Sequence, residues 1–279
     1  MTQEQKHAVE KMFREAKANE KTLAMLFQLA KNDDPDALCY VAEMYATGNG
    51  FAQDITTAVE LYKRAAGTGD PHGEYEYAVC CANGEDEGET DQKAVELFLD
   101  SASKGYSPAM LEMGLRFADG RGVPQDFGMA FYWYMQGAAA GNCDAAYFLG
   151  LSYRDGEGVE KNLFEAEKWF RKAADGGNTD AMVAVVCDLL GTNSKDPNYE
   201  PSYENLMEAR RLAQIAADMG NTEAYYYLAL FYIYDTPAST IDYEKAYKYL
   251  ELSANNGFEA AQELMKHFTK NFWGKIIFK

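Results

Sequence analysis

The chain has 279 residues, 47% hydrophobic and 25% charged. That composition buries enough apolar surface to offset chain entropy and excludes a disordered protein. Its 26 Lys and Arg stand against 44 Asp and Glu, a net charge of −18, which repels nucleic-acid phosphates and anionic membranes and argues against both as principal partners. Two readings of the charge stay open, solubility alone or attraction of a cationic partner at a rate that salt weakens.

Read from the N-terminus, Met1–Arg14 mixes charges with short apolar pairs and shows no apolar run ahead of a cleavage site, so no secretory leader is expected. Residues 1–35 read as a capping helix pair that half fits the pattern that follows. From there a register repeats. Val41-Ala42 leads to Tyr45, Tyr77-Ala78 to Cys81, Met113-Gly114 to Phe117, Leu149-Gly150 to Tyr153 and Val185-Val186 to Leu189, at steps of 36 residues. A step of 43 reaches Leu228-Ala229 with Tyr232, and a further 36 reaches Leu264-Met265 with Phe268.

A second track runs in phase with the first. The small pairs Ala65-Ala66, Ser101-Ala102, Gly137-Ala138, Ala173-Ala174, Ala216-Ala217 and Ser253-Ala254 each follow an apolar, aromatic-rich stretch and precede a glycine. Apolar residues at i, i+3, i+4 and i+7 mark amphipathic helices, the small pairs allow close helix approach, and the glycine ends the helix. Each unit is therefore a helix A, a loop, a helix B and a tight turn. One such pair cannot bury its apolar face alone, whereas stacked pairs share a core. The triplets Gly48-Asn49-Gly50, Gly120-Arg121-Gly122 and Gly156-Glu157-Gly158 recur after a helix at the repeat period, which makes them turns rather than phosphate-binding loops.

Three segments depart from the pattern. Repeat two carries the acidic run Glu85–Asp91, and residues 71–107 hold nine acids against two bases, the most acidic unit. A solvated loop, an electrostatic contact and a weak cation site are its three readings. Repeat five lacks the glycine and carries an insertion around Asn193–Tyr203. The stretch Lys266–Lys279, with four lysines, no acids and Phe268, Phe272, Trp273, Ile276, Ile277 and Phe278, is expected to form a capping helix on the last repeat. Contact with a membrane surface is its alternative. The expected layout is one solenoid over 1–279, with six helix pairs at 36–257 and a C-terminal capping helix and tail at 258–279.

Little in the sequence points to chemistry. His7, His72 and His267 fall in distant repeats without metal-ligand spacing, and neither a phosphate loop nor a nucleophile elbow is present. We expect no catalytic residue, no metal and no cofactor. Nor is there a window of about 18 apolar residues to span a membrane. Cys39, Cys80, Cys81, Cys143 and Cys187 share no spacing and read as thiols in a reducing, cytoplasmic setting.

The segment Ala145-x-x-x-Leu149-Gly150-x-x-Tyr153-x-x-Gly156-x-Gly158-Val159, followed by Glu165-Ala166-x-x-Trp169-Phe170-x-Lys172-Ala173-Ala174-x-x-Gly177, closely resembles the Sel-one-like repeat (SLR), a relative of the tetratricopeptide repeats. The resemblance covers roughly residues 36–268, with repeats three and four fitting best. It implies an all-α, right-handed superhelical solenoid of helix-turn-helix repeats. It also implies the work of an adaptor, regulator, assembly factor or immunity protein. The disulfide-rich secreted branch of that family has a cysteine pair in each repeat, which this chain does not.

If helix A lines the concave face, as in tetratricopeptide-like solenoids, the register fixes which side chains point into the groove. They are Glu43, Tyr75, Val79, Leu111, Leu115, Asp119, Tyr147, Leu151, Arg154, Asp155, Tyr226, Leu230 and Tyr234, with Cys39, Asn83, Val183 and Cys187 at equivalent positions. An aromatic and aliphatic stripe edged by carboxylates has the composition of a protein interface. The other reading is that the repeats bury these groups against one another. The sequence thus points to a free monomer that binds a partner protein, a basic one being electrostatically favoured, as an inhibitor or as an immunity protein against a cationic toxin. The alternatives are a scaffold bridging two partners and, more distantly, a hydrolase. Leu149, Tyr153, Trp169 and Phe170 are expected to hold the stack.

Overall fold

Repeated helix starts and stops divide the chain into pairs. In order these are α1 (Gln3–Glu15), α2 (Glu20–Lys31), α3 (Pro35–Thr47), α4 (Ile55–Gly67), α5 (Pro71–Asn83), α6 (Asp91–Ser103), α7 (Ser107–Asp119) and α8 (Phe127–Ala139). Then follow α9 (Cys143–Asp155), α10 (Leu163–Asp175), α11 (Thr179–Leu190), α12 (Tyr203–Asp218), α13 (Thr222–Ile233), α14 (Tyr243–Asn255), α15 (Glu259–Met265) and the strands β1 (Phe268–Lys270) and β2 (Ile276–Phe278). The computed structural model describes residues 1–15, 20–50, 52–86, 90–192, 198–234, 240–271 and 275–278. Glu87 and Glu89 of the acidic run, residues 193–197 of the insertion, and Phe272 and Trp273 lie outside them.

Short polar side chains set the starts. Asp34, Asp54, Asp70, Asp126 and Asp242 each accept a hydrogen bond from a backbone N–H of the turn they open, as do Asn162, Asn178 and Asn221. These N–H groups have no helical carbonyl within reach, so the caps complete them. The turn between helices of a pair is closed by a repeated backbone bond. The N–H of Asp54, Asp126, Asn162 and Asp242 donates to the carbonyl of Tyr45, Phe117, Tyr153 and Tyr232, at 2.8–2.9 Å. The last four are the aromatic ends of the repeating register.

The chain divides into two compact units, Met1–Ala145 with 157–159, and Ala146–Gly156 with 160–279. In the first, each of α2 to α8 packs on its sequence neighbours around a core that runs from Leu26 and Leu38 through Phe98 to Met113 and Trp133. In the second, α10 to α15 pack in the same neighbour-on-neighbour way. The fold class is all-α, built of helix-turn-helix repeats.

Close approach explains the small residues of the register. A Cβ on Gly150 would lie 2.6 Å from the Phe170 ring, and one on Gly114 would collide with the Tyr134 ring. The missing side chain lets helix B lay an aromatic ring on the backbone of helix A. The serines among the small pairs act differently. Ser101 Oγ donates to the Pro71 carbonyl at 2.6 Å and Ser253 Oγ to the Thr222 carbonyl at 2.8 Å, so each ties a helix B to the first residue of its helix A.

Three expectations are corrected. Lys266–Lys279 is not a helix where it is described: α15 stops at Met265, and β1 pairs antiparallel with β2, Phe268 opposite Phe278. Packing onto the last pair does occur, since Phe268 lies 5.8 Å from the Tyr247 ring and 6.4 Å from Tyr243, and the Ile276 N–H donates to Glu244. The β-branched and aromatic residues Phe268, Thr269, Ile276, Ile277 and Phe278 favour a strand over a helix there. Second, α11 does end on a glycine, Gly191 at φ 69°, so helix A of repeat five merely stops early. Third, Trp169 is only half-buried, with the Lys172 ammonium 4.6 Å from its ring, and Tyr153 is half-buried as well. Phe170 and Leu149, at 2% and 1% exposed, are the core members. A charged residue also lies inside, since Arg116 is 2% exposed. Its guanidinium lies 4.8 Å over the Phe98 ring and its Nε 3.1 Å from Glu112.

These burials set the cost of truncation. Phe170→Ala should destabilise by about 3–5 kcal/mol through the cavity it leaves, and Trp169→Ala by less than about half of that. Urea unfolding followed by circular dichroism checks the order. Equal losses would mean that the two rings share the core.

Candidate functional site

Each unit presents its own set of helix A side chains. In the first, Tyr75, Val79, Leu111 and Leu115 are half-buried, Glu43 and Asp119 are exposed, and the equivalent Cys39 is buried. Tyr75 packs edge-on against Phe98 at 5.5 Å and Tyr106 at 5.4 Å. The stripe is therefore partly a packing surface, as the second reading of the sequence allowed. Carboxylates crowd it. Although Glu43 is exposed as a residue, partial desolvation of its carboxyl and the neighbouring Glu76 raise that group above its ordinary value. Burial also pushes the Tyr106 hydroxyl up to about 12.

The acidic run has a structural member. Asp86 accepts from Lys63 Nζ at 2.9 Å and from the Tyr77 hydroxyl at 2.7 Å. It clips α4 to α5, and both partners hold its carboxyl below the usual range.

In the second unit the side chains converge. Tyr147 and Arg154 from α9, Phe170 from α10, Asp180, Val183, Ala184, Cys187 and Asp188 from α11, and Glu223 from α13 enclose a pocket of about 230 Å³. The Tyr147 ring stands 5.8 Å from Phe170. Arg154 is bound in two-point fashion to Asp155, Nε to Oδ1 at 3.0 Å and Nη2 to Oδ2 at 2.8 Å, which lowers the Asp155 carboxyl. A second pocket of about 500 Å³ shares Arg154, Phe170 and Asp188 and adds Asp155, Lys161 and Tyr199 among others. Leu230 and Tyr234 line a third of about 180 Å³ with Leu206, Tyr227 and Phe231. Leu151 is half-buried, Val183 is buried, and Tyr226 leans on Phe258 at 5.2 Å.

Of the residues chosen from sequence, Tyr147 and Arg154 come together in one pocket, Arg154 and Asp155 in the next, and Leu230 and Tyr234 in the third. Sequence reasoning missed Phe170, Asp180, Ala184, Asp188 and Glu223. A signal for two of them was present. The position five before the Leu of the register carries Asp36, His72, Pro108, Asp144, Asp180 and Glu223, a mostly acidic series one helical turn before the tyrosine stripe.

Among the described residues no group of three or more His, Cys, Asp and Glu side chains could hold a metal ion, and no helix is long and apolar enough to cross a membrane. All five cysteines are free thiols, three of them buried. Burial raises the thiols of Cys39 and Cys80, which leaves them unreactive.

Residues 35–70, 71–106, 107–142, 143–178, 201–221 and 222–258 match the Sel1 repeat. Among solved structures, a Sel1 repeat protein from Oxalobacter formigenes superposes with a TM-score of 0.76 at 22% identity, over 90% of this chain and 99% of that one. An immunity protein from Pseudomonas aeruginosa gives 0.53 at 21% identity, over 76% and 83%. A protective antigen with an SLR fold from uropathogenic Escherichia coli gives 0.50 at 22%, over 92% and 62%. At these identities the likeness is one of fold. No curated protein matches the chain in sequence.

One group of the first unit yields a pH test. His72 Nε2 lies 3.4 Å from Glu76 Oε1, and that bond raises the imidazole above its ordinary 6.5 against the opposing effect of burial. The charged ring is the bonded form, so its contribution is complete below about pH 6.5 and is lost as pH rises through the higher folded value. In an NMR titration His72 should titrate above 6.5. In Glu76→Gln, where burial acts with less opposition, its midpoint should fall below that of the native chain. An unmoved midpoint would show that Glu76 does not hold the proton.

Proposed function

Because the chain belongs to the Sel1 repeat family, whose repeats mediate protein–protein interaction, we propose that it holds one partner protein against the exposed side of its A helices and blocks that partner's action. The observation that carries this reading is the convergence of α9, α11 and α13 on one pocket of mixed aromatic and carboxylate character. Half-buried tyrosines beside desolvated carboxylates are costly on a surface that meets only water, and they are the makings of an interface centre. The −18 net charge favours a basic partner. Likeness of fold to an immunity protein supports the narrower reading, an inhibitor that neutralises a cationic toxin. The repeat is typically a non-catalytic scaffold, and the reading assigns no reaction.

A scaffold bridging two partners has one observation in its favour, since each compact unit carries its own helix A face. Stoichiometry separates the two. A blocker captured from native lysate and reconstituted should give a one-to-one complex by light scattering, and a scaffold a ternary one.

With the partner in hand, Tyr147→Ala and Tyr226→Ala should each weaken binding at least about tenfold, as truncated aromatic anchors do. Calorimetry for affinity and circular dichroism for melting, on the same samples, check this. Native affinity in folded variants would remove the helix A face from the interface. Early melting would class those tyrosines as packing residues only.

A further inference from the structure

The pocket of the second unit has walls that specify more than a protein partner in general. Its volume, about 230 Å³, is enough for one long side chain. Val183, Ala184 and Cys187 make an apolar flank, and the rings of Tyr147 and Phe170 stand 5.8 Å apart beside it.

The charge in the pocket is one-sided. Asp180, Asp188 and Glu223 line it with a single cation, Arg154, which its neighbour Asp155 already holds by two hydrogen bonds. Among the described residues no Lys or Arg is ion-paired with Asp180 or Glu223. Their recorded partners are neutral, Asn221 Nδ2 at 2.8 Å from Asp180 Oδ1 and the Tyr227 hydroxyl at Glu223. That hydroxyl is held in place from behind by Cys187 Sγ at 2.9 Å. Burial and the nearby Asp180 raise the Glu223 carboxyl above its ordinary range, and an incoming cation would offset both by favouring the ionised form.

We propose that this pocket seats one arginine side chain of the partner protein, its stem along Val183 and Ala184 and its guanidinium against Tyr147 between the carboxylates of Asp180 and Glu223. The assignment deepens the interaction reading and rests on it. Arginine fits better than lysine for two reasons. Its planar fork can bond carboxylates that arrive from two different helices, α11 and α13, and its flat face stacks on an aromatic ring. An apolar stem along an apolar flank with the charged head at the acids is the arrangement long cationic side chains adopt.

The test uses the full chain and blocked tripeptides of the form Gly-X-Gly, with arginine, lysine or glutamine at X. In NMR titrations the arginine peptide should shift the amide signals of Tyr147, Asp180, Ala184 and Glu223 saturably. The lysine peptide should bind more weakly and the glutamine peptide not at all. Asp180→Asn combined with Glu223→Gln should weaken the arginine peptide at least about tenfold. Ala184→Met, which fills the pocket and leaves both carboxylates, should do the same, and circular dichroism confirms that both variants are folded. Equal response to arginine and glutamine, tighter binding of lysine, or affinity untouched by both variants would overturn the assignment. Such a failure is distinct from failure of the interaction reading, because Tyr226 lies outside this pocket and the effect of Tyr226→Ala on the whole partner is measured independently.

Discussion

Phe170 lies against the backbone of α9 at Gly150, and Tyr134 against that of α7 at Gly114, because neither glycine has a side chain to hold the ring away. A ring at that depth fixes the separation of the two helices in a pair, and close-packed interiors tolerate little slack around such a contact. The face of helix A one turn back is placed by the same contact. Tyr147 precedes Gly150 by three residues and leans on the same Phe170 ring, 5.8 Å away. Phe170 is thus a core residue, 2% exposed, and also one wall of the pocket. The site's geometry is held by the packing that holds the pair.

The acidic charge divides by role in the structure, which the net figure hides. Five aspartates cap helices. Others are bound, as Asp86 is by Lys63 and Tyr77, or Asp155 by Arg154. Paired and capping carboxylates steer a partner weakly, because their field is partly cancelled nearby. A smaller set is matched by neutral donors instead, of which the exposed Asp180 and the half-buried Glu223 are members. Local compensation, and not the total of −18, decides where a cation gains most.

The repeat was legible in the sequence because it rests on short-range rules. Helix period, small pairs and glycine stops each leave a residue-level mark, and the helix pairs follow from them. The core was legible only in part. Trp169 and Phe170 are adjacent and both aromatic, and only the three-dimensional angle of α10 decides that Phe170 turns inward. The burial of Arg116 leaves no mark in its own helix, because it depends on Phe98 from the preceding one. At the C-terminus, the three-residue runs Phe268–Lys270 and Ile276–Phe278 are too short to show a strand period against an expected cap. Tyr147 and Arg154 were found by register, but their pocket also needs Asp180, Ala184 and Glu223, brought close only when successive A helices stack.

Two of the three acids of that pocket owe their place to helix chemistry before any partner is considered. Asp180 and Glu223 stand in the first turns of α11 and α13, where the exposed N–H groups and the helix dipole favour an anion. The same repeat position holds His72 in α5 and Pro108 in α7, and both helices form without an acid there. First-turn residues can therefore vary in charge while the helix persists, whereas Gly150 and Phe170 cannot vary without moving the pair. The proposed recognition would then rest on positions the fold leaves free, one turn away from positions it does not. A solenoid of this kind can change the partner it selects by substitution in the first turn of helix A, and the stack beneath would keep its spacing.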